Sequence, residues 1–277
     1  MDVSTWGFGV VRAETMSAPQ AVLAEICELA SESTGEKFVP QFAASYRDLS
    51  TTLGSGKTGL AWMPPIPAIE LEDTGAAFVL ALPARKGQAT YHSALISRKG
   101  AAKTIEDCKG KSIVWVDQES ASGYVIPRLY LASLGIDPGT FFSKEIFAKT
   151  HMGVVDAVIA GRADVGATYC NFEPGSKNLA NAAWTDFDGN NARAIDMIGS
   201  TGAIPNDAIV GTSKLPLPLR ASITRFLLEP TPRGKQLFDH LLRATEFRVS
   251  RPGHFEPLKH MVRVARVRGY SIPPPGK

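Results

Sequence analysis

Cysteine is scarce: Cys27, Cys108 and Cys170 are the only three in 277 residues. An odd count at these spacings makes neither a disulfide framework nor a metal-ligand motif. Each is expected as a small buried residue. Long apolar runs are also absent. The longest covers residues 76–84, far short of the roughly 20 residues a membrane-spanning helix needs. Neither sign of charge dominates, since 30 Lys and Arg stand against 27 Asp and Glu, a net +3. A nucleic-acid binder usually carries a larger or more clustered basic surplus, so no nucleic-acid partner is expected. The five histidines fall in no metal-binding motif. No Gly-rich loop of the nucleotide-binding type occurs. Neither a metal nor a cofactor is therefore expected.

A secretory leader pattern is missing too. The first charge is Asp2 and the first basic residue Arg12, with no apolar stretch between a basic start and a small-residue cleavage site. Two locations stay open: cytoplasmic if Met1 is native, periplasmic if a leader has been removed.

What is present is an ordinary globular composition, 44% hydrophobic and 21% charged. At roughly 100–200 residues per domain, the length suggests two domains or one large one. Residues 3–11 are rich in aromatic and β-branched types and predict a strand. Ser17 and Gln20 offer a capping box for a helix bearing Val22, Leu23, Ile26 and Leu29. Alternation continues through strands at 38–42, 59–62 and 78–82, with a helix from Tyr46 to Leu53. The strand at 59–62 stops at Met63-Pro-Pro-Ile-Pro67, because proline cannot continue a ladder. A second series starts at Tyr91, with strands at 91–97, 112–116, 145–147, 164–168 and 194–198. Helices follow Gly123 and Thr150, and residues 172–191 read mostly as loop. Two more helices are expected at 217–228 and 233–242. The basic tail beyond Arg248, with Arg251, Lys259, Arg263, Arg266 and Arg268, reads as a solvated helix face and a loose end. Alternating strands and helices define an α/β architecture.

The most informative stretch is Val116-Asp-Gln-Glu-Ser120-Ala121-Ser122-Gly123-Tyr124. A strand runs into a Ser/Gly loop and then a helix start. The first N–H groups of a helix and the positive end of its dipole favour anions. The plainer alternative is that Ser120 or Ser122 is simply an N-cap. Pro127 predicts that the first turn is irregular.

Ser120-Ala-Ser-Gly-Tyr124 with Pro127, Leu134-Gly-Ile-Asp137 and His151 resembles the phosphonate-binding periplasmic proteins of ABC importers. Tyr46, Leu60-Ala-Trp62, Tyr91-His-Ser, Ala157-Val-Ile-Ala-Gly-Arg-Ala-Asp164 and Ile204-Pro-Asn-Asp207 match in order. The resemblance extends over nearly all of residues 1–250. It implies a type II periplasmic-binding-protein fold of two lobes, 1–91 with 206–277 and 92–205. Each lobe would be a mostly parallel sheet flanked by helices, with two hinge crossings between them and closure on the ligand. It also implies a site. Ser120, Ser122 and Gly123 would hold phosphonate oxygens, Ala121 contributing only its N–H where the family usually has threonine. His151 would be an oxyanion donor. Tyr46 and Tyr91 would reach the ligand, and Asp207 would face a ligand amine or a protonated ligand oxygen, or else simply make a turn. A second acid would fall near Asn171, which is neutral, with Glu173 two positions on. Trp62 would either pack on the ligand tail or belong to the core.

The expected function is therefore non-catalytic binding of a small anion of the phosphonate, phosphate or phosphite class, by a monomer that delivers to an ABC permease. The alternative is an enzyme or a ligand sensor on the same fold, for which His151 with Asp207 would be the candidate base pair.

Overall fold

The computed structural model describes residues 5–11, 19–85, 87–118, 120–186, 193–251 and 253–270. The expected cap at Ser17 lies outside them. The chain divides into two compact units, residues 1–90 with 205–255, and residues 91–204 with 256–277.

The first unit opens with β1 (Thr5–Val11), α1 (Pro19–Thr34), β2 (Lys37–Ala43), α2 (Tyr46–Gly54), β3 (Leu60–Met63), α3 (Pro65–Asp73) and β4 (Ala77–Ala84). Phe8 and Val10 of β1, with Leu23 and Ile26 of α1, form part of a buried core. The Leu23/Ile26 spacing puts both on one helix face. Helix α3 was not expected. Pro64 is extended (φ −60°, ψ 160°) and caps the helix, with Pro65 opening it. The run that ends the strand thus starts a helix, because the first helical N–H groups need no intrahelical partner.

The second unit carries β5 (Thr90–Arg98), β6 (Ser112–Trp115), a π-helical turn at Ala121–Val125, α4 (Ile126–Ser133), α5 (Pro138–Phe141), β7 (Lys144–Phe147), α6 (His151–Ile159), β8 (Val165–Phe172), β9 (Leu179–Ala182), α7 (Ala183–Asp186) and β10 (Ile195–Ser200). Strand β9 and helix α7 occupy a stretch expected as loop. The chain then passes through β11 (Ile204–Pro205) to β12 (Ala208–Thr212), α8 (Leu217–Leu228), α9 (Pro232–Leu242) and β13 (Glu246–Arg248) of the first unit. Phe226, Leu237, Phe238 and Leu241 of α8 and α9 complete the core begun by β1 and α1.

Both sheets are mixed rather than mostly parallel. The first has the order β13-β4-β12-β3-β1-β2, in which only β1 with β2 and β1 with β3 pair parallel. The second has the order β10-β5-β8-β6-β7, with β6 parallel to β7 and β8, and β5 antiparallel to β8 and β10. Strands joined by βα crossovers run parallel. Strand β5 begins at the first crossing and β12 follows the second, and both run against their neighbours.

The last helix, α10 (Glu256–Val267), corrects the expected tail. Residues 256–277 belong to the second unit, not the first, so the chain passes between units a third time. Leu258, Val262 and Ala265 are buried on one face, and Arg268 Nη1 donates to the Ala132 carbonyl of α4 at 3.3 Å. Lys259, Arg263 and Arg266 share a helix whose apolar stripe is buried. All three cysteines are buried free thiols, and burial pushes the Cys27 and Cys170 thiols up to about 12.

Asn206 stitches the first unit where the chain re-enters it. It is 3% exposed. Its Nδ2 donates to the carbonyls of Pro83 at 2.9 Å and Gln88 at 3.0 Å, and its N–H to Ala89 at 2.9 Å. Asn206→Ala keeps the backbone bond but removes both side-chain donors. Leaving a buried acceptor unpaired costs about 1–3 kcal/mol, so urea unfolding should show a loss of about 2 kcal/mol. A loss under about 0.5 kcal/mol would mean that the stitch adds no net stability.

Candidate functional site

The Ser120–Gly123 segment begins a helix, as its residue types suggest, and Pro127 dictates its form. A regular α-turn would have the N–H of residue 127 donate to the Gly123 carbonyl, and proline has none. That carbonyl accepts instead from Val116 N–H at 3.1 Å. The first turn widens to a π-turn, with Val125 N–H reaching the Ser120 carbonyl at 3.0 Å. Ser120 Oγ caps it, accepting from Gly123 N–H at 3.1 Å, a role that uses a lone pair of the hydroxyl and not its proton. The N–H groups of Ala121 and Ser122 open the helix and have no intrahelical carbonyl to reach. Ser122 is 5% exposed, and its carbonyl accepts from Ser93 Oγ of β5 at 2.7 Å. Gly123 has no room for a side chain: a Cβ would lie 2.3 Å from Val116 Cγ2.

Val116 also fixes the second element. Its carbonyl accepts from Lys149 N–H at 2.8 Å, next to Ala148 N–H on Trp115 at 2.9 Å. Lys149 takes a left-handed φ of 68°, which turns the chain into α6. Thr150 caps α6 by accepting from Gly153 N–H at 3.0 Å, and His151 is its first residue. The His151 ring is held on two sides. Nδ1 lies 2.9 Å from Thr168 Oγ1 on β8, and the ring meets Tyr169 edge to face at 4.9 Å. Burial pushes the imidazole down to about 4, against a smaller opposing pull from Asp117. It is therefore neutral at pH 7. A Thr168 hydroxyl that donates to Nδ1 leaves the proton on Nε2, making a neutral donor. Turn and imidazole follow the carboxyl ends of parallel β6 and β7, where α/β sheets commonly bind ligands.

The remaining candidates are dispersed. Asn171 on β8 donates to Asn181 Oδ1 at 3.1 Å, and Asn181 donates to Asp186 at 2.8 Å. Asp186 also accepts from Tyr169 at 2.9 Å. Tyr91 lies on β5, half-buried, one residue before His92. In the first unit, Tyr46 is the first residue of α2. Trp62 of β3 packs on the core as a half-buried residue, its Nε1 buried without a partner. Asp207 is paired with Arg85 at 2.7 Å. The Arg85 guanidinium thus offsets the carboxylate charge. Ser93, Thr168, Tyr169 and Asp186 were not singled out as site residues. Their partners are 29, 17 and 17 positions away, and only sheet register brings them together. Among the described residues no group of three or more His, Cys, Asp or Glu could hold a metal ion.

Solved structures share this architecture. XAC2383 from Xanthomonas citri, bound to ATP, aligns with a TM-score of 0.74 at 18% identity, over 96% of this chain and 98% of that one. A binding protein component of an ABC phosphonate transporter from Pseudomonas aeruginosa aligns at 0.64 and 21%, over 97% and 88%. PhnD1 from Prochlorococcus marinus, in complex with methylphosphonate, aligns at 0.63 and 15%, over 94% and 97%. The fold is that of the type II periplasmic binding proteins. Residues 8–254 match the model of the ABC transporter phosphonate periplasmic substrate-binding proteins, and the chain belongs to that family. It is a non-catalytic substrate-binding protein, and membership implies a small-molecule ligand and an ABC permease as partner.

Proposed function

We propose that the ligand is a small oxyanion of the phosphonate, phosphate or phosphite class, bound by a monomer. The N–H groups of Ala121 and Ser122, the hydroxyls of Ser120 and Ser122, and His151 Nε2 would hold its oxygens. The observation that carries this reading is Val116. Its N–H anchors the serine turn and its carbonyl anchors the His151 segment, so hydroxyls, helix N–H groups and a neutral imidazole share one strand end. Five donors suit a compact anion, and hydrogen bonds to an ionised acceptor are the stronger kind. Tyr46, Tyr91, Trp62, Asn171 and Asp207 remain secondary contacts, supported by the resemblance alone. The Asn171 amide and the Arg85-paired Asp207 carboxylate favour a ligand without an amine.

Calorimetric titration with phosphate, phosphite, sulfate, methylphosphonate, 2-aminoethylphosphonate and ATP tests the class. Methylphosphonate, phosphate or phosphite should bind. His151→Ala should weaken that binding about 10- to 100-fold and Ser122→Ala about tenfold, the range for one lost bond to a charged group. Asp207→Asn should change it less. Binding of sulfate or ATP alone would overturn the class, and unchanged affinity in both site variants would overturn the site.

A further inference from the structure

Ser93 of β5 is buried and fully hydrogen-bonded beside the serine turn. It is 1% exposed, as Ser122 at 5% and Thr201 at 4% are also buried. All three of its polar groups are engaged. Oγ donates to the Ser122 carbonyl at 2.7 Å. The backbone N–H donates to Thr201 Oγ1 at 3.0 Å, and the carbonyl accepts from Thr201 N–H at 2.9 Å. Strands β5 and β10 pair as far as Ala94 with Ser200. At the next pair a threonine hydroxyl stands where a backbone carbonyl would continue the ladder. The clamp therefore closes where both strands approach their crossings to the other unit, at 90/91 and 204/205.

We propose that Ser93 is a positioning residue for the oxyanion turn, coupling the Ser122 peptide to the Thr201 segment. Three facts converge on it. The Ser122 carbonyl belongs to a π-turn, and its acceptor is used by a side chain from another strand. A buried hydroxyl bond of this kind fixes the peptide plane, and with it the direction of the neighbouring N–H groups. Thr201 bonds both the N–H and the carbonyl of Ser93, so displacement of its segment reaches the turn through Ser93. The effect on affinity rests on the oxyanion reading above, whereas the coupling does not.

Hydrogen exchange on the ligand-free full chain tests the coupling. Ser93→Ala should speed exchange of the Gly123 and Val125 N–H groups about tenfold, and Ser93→Thr, which keeps the hydroxyl, should restore them. Thr201→Val is the decisive variant, because it retains shape and removes only the clamp hydroxyl. It should speed the same two amides about threefold or more while amides of α9 keep their rates. Unchanged Gly123 and Val125 rates in Thr201→Val overturn the coupling. Unchanged rates in Ser93→Ala overturn the positioning role. With methylphosphonate as probe, Ser93→Ala should raise Kd about tenfold and Ser93→Thr should recover it. An unmodified chain that binds no methylphosphonate would count against the ligand reading, and the exchange rates would still decide the role of Ser93.

Discussion

Gly123→Ala should abolish oxyanion binding and cost about 2 kcal/mol of stability, the range for forcing extra volume into a packed interior. The added Cβ would meet Val116 Cγ2 at 2.3 Å, Val116 Cβ at 2.6 Å and Ser120 Oγ at 2.8 Å. None of these can yield cheaply. Val116 is held through its N–H by Gly123 itself and through its carbonyl by Lys149. Ser120 Oγ is the cap of the turn. Relief therefore requires the turn to lift from Val116, which breaks the bond that compensates for Pro127 and misaims the Ala121 and Ser122 N–H groups. Losing two bonds to an anion at about 1.5–3 kcal/mol each weakens binding by a hundredfold or more. Denaturant unfolding and calorimetry on the same preparation check both halves. A variant that binds methylphosphonate as the unmodified chain does would show that the turn is not the anion site. One that loses binding at full stability would show that the turn shifts without strain.

Much of the fold is legible in local pattern. Helix α8 spans the 217–228 stretch read from Ile223, Phe226 and Leu227, and the irregular first turn before α4 follows from Pro127 alone. Strand direction is not legible, because apolar alternation has the same period in parallel and antiparallel pairs. The mostly parallel expectation failed there. Helix α3 was missed because Pro64-Pro65 ends a ladder and starts a helix with the same chemistry. The docking of α10 depends on α4, more than a hundred residues earlier, which is why the tail read as a loose end, while Arg263 and Arg266 are exposed as the solvated-face reading has them. The site divides in the same way. Ser120, Ser122, Gly123 and His151 stand at helix starts, which local sequence marks. Ser93 and Thr168 stand mid-strand and act through register, which a single sequence does not reveal.

His151 should make the protein lose stability as the pH falls from about 6.5 to about 4. Its folded value is pushed down to about 4 from 6.5, chiefly by burial. Between those values the unfolded chain binds a proton that the folded chain refuses, so acid favours unfolding. The contribution is fully present above pH 6.5 and is lost towards pH 4. A shift of this size corresponds to about 3 kcal/mol at most. His92 and His254 are also lowered by burial and slope the same way, so the unmodified chain alone does not isolate His151. The comparison is with His151→Gln, which cannot titrate. Urea unfolding at intervals from pH 7 to pH 4 should give a shallower decline for the variant, the two curves converging towards the acid end. Parallel curves would mean that His151 titrates freely in the folded state. The same neutrality bears on binding, because an imidazole kept unprotonated by burial and oriented by Thr168 donates one bond to an oxyanion without adding a charge. A bound dianion reverses that balance by stabilising the imidazolium. Ligand should therefore raise the His151 value, and proton uptake on binding should appear as a buffer-dependent heat below pH 6 that His151→Gln lacks.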